Sequence, residues 1–235
     1  MSMIPVLIDR RWSVLIPEHR AIRPGWDWWE WRRLSYMHAV IRPGDVVWEV
    51  GAEQGDLSVL YATWGARLVL IEPDEGFWPA LRHIFVENGM GEHVVGTYHG
   101  FIGPTGTDTP LIDFDWPVVS AAPLRQEDRA PLYYDKDSES RQVTTLNALL
   151  DVGLPTPDVV SMDVDGAEYQ ALLGADRLLS EARPIMFLSV HPWHLNAQYG
   201  DTADDVLHHM ELHGYQGECL AYDHEVHWLF KPVNR

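Results

Sequence analysis

Val46-Val47-Trp48-Glu49-Val50-Gly51-Ala52-Glu53-Gln54-Gly55 is the run that the rest of the chain extends. Val46 to Val50 is a short apolar stretch with one carboxylate, the composition of a strand buried on both faces. Arg42-Pro43-Gly44-Asp45 stops whatever precedes it. Gly51 and Gly55 let the backbone turn sharply and approach a ligand closely. Leu57, Leu60, Tyr61 and Trp64 then recur at the spacing of one helix face, and Gly65 closes that helix. Arg67 to Ile71 is a second strand, and it ends in Glu72-Pro73. The helix after the glycine loop presents free N–H groups and a positive dipole end to a ligand. In dinucleotide enzymes that end holds a pyrophosphate, but the spacing here is not G-x-G-x-x-G. The same helix end suits the carboxylate of an amino-acid-like cofactor. Glu72 is placed to accept both hydroxyls of a ribose, and Glu49 to meet a cationic amino group. The expected cofactor contacts are therefore Glu49, Gly51, Ala52, Gln54, Gly55, Ser58, Glu72 and Pro73.

The alternation of strand and helix continues outward from this unit. Phe77, Leu81, Ile84 and Phe85 stripe a second helix, and His93 to His99 is a third strand. Residues 103–140 carry five prolines and no sustained period, which predicts an insertion or lid. The rhythm resumes with a strand at 142–144, a short helix around Leu146 and Leu149, a strand at 158–163, a helix over 166–180 and a strand at 184–190. A helix over 202–213 follows, then two strands flanking Asp223-His224-Glu225, which reads as a hairpin. Upstream, residues 1–25 read as irregular or β-like, and 26–41 as a helix carrying Trp26, Trp28, Trp29 and Trp31. Those rings are expected to pack that helix against the body, with an aromatic or sugar-binding wall as the alternative. The fold class expected is α/β: a doubly wound, mostly parallel sheet with a C-terminal antiparallel hairpin. It forms one domain over 1–235, with residues 1–42 as a Trp-rich extension.

A second constellation lies in Val159-Val160-Ser161-Met162-Asp163-Val164-Asp165-Gly166-Ala167-Glu168. A buried strand delivers Asp163 to its carboxyl end, the edge where open α/β sheets bind ligands. Glu168 falls in the first turn of the next helix, and the following strand ends in Ser189-Val190-His191-Pro192. Asp163, His191 and Glu168 are the expected catalytic residues. An alcohol is a poor nucleophile and needs a base or a metal to free its oxygen. His191 has the natural pKa of a base. Asp163 can orient it, take the proton itself, or ligate a divalent cation. Taken singly, Asp165 and Glu168 also read as a helix cap and a helix-start charge. His208, His209 and His213, late in a helix that begins with Asp204 and Asp205, read as charges matched to the helix dipole rather than a metal site.

The whole composition sets outer limits. The chain has 235 residues, 46% of them hydrophobic, enough for a substantial core. Its single cysteine, Cys219, excludes a disulfide framework and fits a reducing compartment. The N-terminus is too soon charged for a signal peptide, and no apolar run approaches the ~20 residues that span a bilayer. A cytoplasmic protein with no membrane partner is expected. The formal net charge of -18 repels phosphate backbones, which argues against a nucleic-acid partner but not against a neutral sugar or a cationic cofactor.

These stretches resemble the FkbM family of methyltransferases. The matching segments are Pro43 to Gly55, Leu70-Ile71-Glu72-Pro73, Thr145 to Leu150, Met162 to Glu168, Leu173-Gly174-Ala175 and Val190-His191-Pro192. The resemblance implies a Rossmann-like sheet of the class I methyltransferase type and S-adenosylmethionine as cofactor. It also implies O-methylation of a sugar, glycan or small natural product. It matches Glu49, Gly51 and Gly55 to the cofactor loop, Glu72 to the ribose acid, and Asp163, Glu168 and His191 to the acidic motif and strand-end histidine. Asp165 stands where the family usually has Glu, Asn147 replaces a common Asp, and Ser189 stands where an acid usually precedes Val-His. The last departure removes one carboxylate from the presumed active edge, which puts a metal role in doubt and leaves a non-catalytic binding protein as the alternative.

Overall fold

In chain order the elements are β1 (Met3–Ile8), β2 (Trp12–Pro17), α1 (Glu18–Ala21), α2 (Trp31–Val40), β3 (Val46–Val50), α3 (Asp56–Thr63), β4 (Arg67–Ile71), α4 (Trp78–Glu87), β5 (Val94–Tyr98), β6 (Phe101–Ile102), β7 (Ile112–Asp113), β8 (Val143–Thr144), α5 (Leu146–Asp151), β9 (Val159–Asp163), α6 (Glu168–Leu173), β10 (Ile185–Val190), α7 (Pro192–Tyr199), α8 (Ala203–Leu212), β11 (Tyr215–Tyr222) and β12 (Val226–Pro232). They come from a computed structural model that describes residues 2–23, 25–28, 30–106, 110, 112–113, 143–222 and 225–233. Trp29, Gln142, Asp223, His224 and most of the 103–140 insertion lie outside the described residues.

Eight strands form the main sheet in the order β11-β12-β10-β9-β3-β4-β5-β7. β10, β9, β3, β4 and β5 run parallel, and β12, β11 and β7 are antiparallel to their neighbours. Every residue of β3 is buried, Glu49 included, as a central parallel strand requires. The chain leaves β3 for β4 and β5 on one side, then returns to β9 and β10 on the other. The strand order therefore reverses at the β3–β9 pair, and the crevice beyond those carboxyl ends is the ligand edge of such a sheet. This is a doubly wound, Rossmann-like, mostly parallel sheet with a C-terminal antiparallel hairpin.

The N-terminal stretch is more ordered than its prolines suggest. β1 and β2 pair as an antiparallel hairpin, and Val6, Ile8, Val14 and Ile16 join the same apolar cluster as Leu81, Ile84 and Phe85 of α4. Leu15 and Asn88 exchange two hydrogen bonds of 2.8 Å across that contact. The tryptophans split: Trp26 is buried, whereas Trp28 and Trp31 are exposed. The helix begins only at Trp31 rather than at Trp26.

Two further corrections concern helices. The stretch 166–180 is not continuous: α6 ends before Gly174, and a wide turn resumes at Leu178–Ala182. Asn147 explains the break, because its side-chain oxygen accepts the N–H groups of Arg177 and Leu178, both at 3.0 Å. A Cβ on Gly174 would lie 2.3 Å from the carbonyl oxygen of Gly103, so the chain closes there on glycine alone. α7 was not anticipated, although Pro192 at its start and Gly200 at its end are standard helix limits.

Candidate functional site

Two adjoining cavities open at the reversal point, and Gly51, Glu53, Asp163 and Asp165 line both. The glycine loop builds the wall between them. Gly51 has φ +88°, and a Cβ there would stand 1.8 Å from the carbonyl oxygen of Asp163, so only glycine permits this approach of the β3 loop to the end of β9.

The first cavity lies over the end of β4, lined by Glu72, Pro73, Phe77, Phe101, Ile102 and Val164 among others. Glu72 is 5% exposed, and its two oxygens accept the backbone N–H groups of Glu53 at 2.9 Å and Asp74 at 2.8 Å. Burial lifts its pKa to about 7 against those two bonds. Each oxygen keeps a lone pair, so a fixed carboxylate of this kind can take a vicinal pair of hydroxyls.

The second cavity is acidic. Glu30, Glu49, Glu53, Asp56, Asp163, Asp165 and Glu225 line it, against Arg20, Arg23, His191 and His194. Glu49 is 2% exposed, and one of its oxygens has no partner among the described residues. Burial raises its carboxyl to about 8 although Arg33 and Ser161 pull it down. An uncompensated buried carboxyl of this kind fits an incoming ammonium group. Arg20, from the N-terminal stretch, closes over the loop: it grips both oxygens of Glu53 at 3.0 Å and donates to Asp56 at 2.8 Å. Among the six described non-glycine residues with positive φ, three (Glu30, Glu53 and Asp165) line this cavity. Such backbone costs about 1–2 kcal/mol per residue and concentrates at functional sites.

Of the eight residues expected at the cofactor, five line one or both cavities. Gly51, Glu72 and Pro73 line the first cavity, and Glu49, Gly51 and Ala52 the second. Gln54, Gly55 and Ser58 line neither. Gln54 bonds His19 at 2.9 Å, a Cβ on Gly55 would lie 2.7 Å from the Leu81 side chain and 3.1 Å from that of Ile84, and Ser58 is buried in α3.

The expected catalytic trio does converge. His191 places Nδ1 2.7 Å from Glu168 and Nε2 3.0 Å from Glu225, with Asp165 at 3.5 Å and Asp163 at 3.7 Å. Burial alone would lower this imidazole, but its hydrogen bonds to Glu168 and Glu225 and the charge of Asp163 hold it up at about 11. The raised pKa favours the protonated ring at neutral pH, with its nitrogens donating to Glu168 and Glu225. Glu168 is fully buried and also accepts the N–H of Gly166 at 3.0 Å, so it holds the histidine rather than reaching the cavity. Asp165 does not cap α6, which begins with no side-chain cap at all. Asp163 keeps 29% of its side-chain surface open. Burial, then the charge of Glu225, raises it to about 8.

Sequence reasoning missed Glu225, Arg33 and Glu30. In β10–β12 pairing Ser189 opposes His227 and Val190 opposes Val226, which carries Glu225 to the active edge. Ser189 bonds the His227 ring at 3.1 Å. The carboxylate missing at position 189 is thus supplied from the C-terminal hairpin. Its neighbours His191 and His227 depress Glu225 to about 2 despite its burial. Arg33, 1% exposed, joins Glu30 and Ser161 at 2.8 Å each and stands 3.8 Å from Asp163. Only the reversed strand order and the antiparallel pairing bring these residues together, and no local spacing announces either. Among the described residues no helix is long and apolar enough to cross a membrane.

Comparisons with known proteins agree with this architecture. An FkbM methyltransferase from Methylobacillus flagellatus KT superposes with a TM-score of 0.53 at 16% identity, covering 83% of this chain and 49% of its own. The chain therefore spans about half the length of that protein. A ribosomal protein L11 methylase from Lactobacillus delbrueckii subsp. bulgaricus gives a TM-score of 0.52 at 11% identity, covering 89% and 80% of the two chains. A precorrin 8w decarboxylase from Methanobacterium thermoautotrophicum gives 0.50 at 14%, covering 87% and 90%. No curated protein sequence matches the chain. The methyltransferase FkbM domain model matches residues 49–216 of the 235, from the last charged residue of β3 into β11, and the chain therefore belongs to that family.

Proposed function

We propose that this protein is an S-adenosylmethionine-dependent O-methyltransferase acting on a hydroxyl of a neutral sugar, glycan or small natural product. The observation that carries the reading is the pair of adjoining cavities that meet at Gly51 and Asp163. Glu72 would hold the ribose hydroxyls of the cofactor, and Phe77 and Phe101 give flat apolar walls for its base. Glu49, with its unpartnered oxygen, would take the cofactor's ammonium group, and that charge would ionise it. The cofactor supplies an electrophilic methyl group.

The protein's own task is to free the acceptor oxygen. Asp163 stands where the two cavities join and takes the hydroxyl proton as the oxygen gains its methyl group. His191, a cation between Glu168 and Glu225, holds Asp163 and Asp165 in place and is a positioning residue rather than the base. Seven acidic side chains against two arginines and the His191 cation keep the second cavity net acidic, which favours a neutral or cationic acceptor over a phosphorylated one. Cytoplasm is the compartment that suits the free, exposed thiol of Cys219.

Because the base form of Asp163 fills only as pH rises through about 8, kcat/KM should climb toward that pH and level off above it. Asp163→Asn should lose about 10²- to 10⁴-fold in turnover and keep its affinity for S-adenosylhomocysteine by calorimetry. Absence of binding by either form of the cofactor overturns the reading. Normal methylation by Asp163→Asn across a sugar panel overturns the role of Asp163.

A further inference from the structure

Away from the strand-end edge, the C-terminal end of α8 carries His209 and His213 one turn apart. Asp176 approaches them from the turn after α6. The nearest ligand atoms of the three lie within 4.8 Å of one another. His213 Nε2 is 3.2 Å from Asp176 Oδ1, a separation that two ligands of one ion adopt. We infer that Asp176, His209 and His213 form a binding site for a divalent transition metal of the Zn2+ class, built into the α6–α8 contact and separate from the methyl-transfer site.

Two features beyond the cluster itself point to a ligand. His209 is 9% exposed, and its Nε2 is buried with no hydrogen-bond partner among the described residues. A buried ring nitrogen left bare loses its hydrogen bond to water with nothing in return, so its lone pair or proton calls for a partner. The orientation of both rings is also set from behind. His213 Nδ1 lies 2.9 Å from the carbonyl oxygen of His209, and the other nitrogen of His209 bonds the backbone of Leu172. An N–H donated to a carbonyl leaves Nε2 as a lone pair, and ligating histidines are held in this way. Two imidazoles and a carboxylate suit Zn2+ or its neighbours rather than Mg2+ or Ca2+.

The burial is graded in the order a bound ion needs. His209 closes the inner side, His213 is 19% exposed, and Asp176 is 69% exposed, leaving room for water at a remaining position. The bound ion would pin the end of α8 to the turn that follows α6. Dipole matching alone, the reading that position in the helix suggests, accounts for the histidines but not for Asp176 or for the bare nitrogen.

The test uses the full chain stripped with a chelator, titrated with Zn2+ alone by calorimetry at pH 7.5, and Co2+ absorption as a second readout of the ligand set. One Zn2+ should bind at about 10 µM or tighter. Partly exposed His213→Ala should weaken it at least about tenfold with an unchanged circular dichroism spectrum, and Asp176→Asn should weaken it less. Asp163→Asn should leave it unaltered. The inference is overturned by no Zn2+ binding below about 100 µM, by tight binding that survives His213→Ala, or by binding that Asp163→Asn removes.

Discussion

The two cavities at the strand-end edge are built by different means. In the first, the important polar contacts use backbone groups: Glu72 takes the N–H of Glu53 and Asp74, and Gly51 donates to Ile71 at 2.9 Å. In the second, side chains meet side chains across the fold: Arg33 reaches Ser161, Glu168 reaches His191, and Glu225 reaches His191 from another strand. A loop stabilised by its own backbone tolerates change around it. A cluster of buried charges stands or falls together, because each charge is tolerated only while its partners remain.

The largest effect should therefore follow a break in the second region. Arg33→Ala removes the buried cation that holds Glu30 and faces Asp163, and leaves Glu30 without compensation. Such a loss costs about 3–5 kcal/mol of folding stability. A denaturant titration should show the midpoint fall accordingly at neutral pH. A variant as stable as the parent would mean that the acids shed their charge at no cost.

The first region should respond more mildly and more locally. Glu72→Gln keeps the shape and the two backbone contacts in part, but it replaces a charged acceptor with a neutral one. The expected loss is roughly 10- to 100-fold in affinity for S-adenosylhomocysteine, with little change in melting temperature. Calorimetry and a thermal melt on the same sample separate the two. An equal fall in both readings would erase the contrast between the regions.

The same contrast explains what could be read from the sequence. The glycine loop, β3, β4 and Glu72 were legible because their geometry follows from spacing over a few residues: alternating elements, a glycine with positive φ and an acid at a strand end. Asp163, Glu168 and His191 were legible as strand-end and helix-start residues, though not the ion pairing that makes His191 a cation. Glu225 was hidden because its place depends on which strand β12 pairs with, and the residue itself sits in what reads as a plain turn. Asn147 was visible only as a departure from a pattern, while its work is to cap the turn at Arg177 and Leu178. The β1–β2 hairpin was obscured by its prolines, and its burial comes from α4, far along the chain.

The finest test asks how Glu225 acts on Asp163. Burial is the main reason that Asp163 titrates near 8, and the charge of Glu225 is the next; Arg33 and His191 pull the other way, and Glu30 adds to the rise. Glu225→Gln removes a negative charge from beside Asp163, which favours its ionised form. It also withdraws a partner from His191, which makes that cation less secure and favours the neutral acid. The first influence is the larger, since Glu225 ranks above His191 among the causes acting on Asp163. The rise of kcat/KM with pH should therefore move to lower pH in Glu225→Gln while S-adenosylhomocysteine affinity stays within about twofold, a small effect on the scale of a lost charged hydrogen bond. A rise that moves to higher pH would mean that Glu225 serves Asp163 chiefly by keeping His191 charged. An unmoved rise would separate Asp163 from the cluster altogether, and the second region would then be no more interdependent than the first.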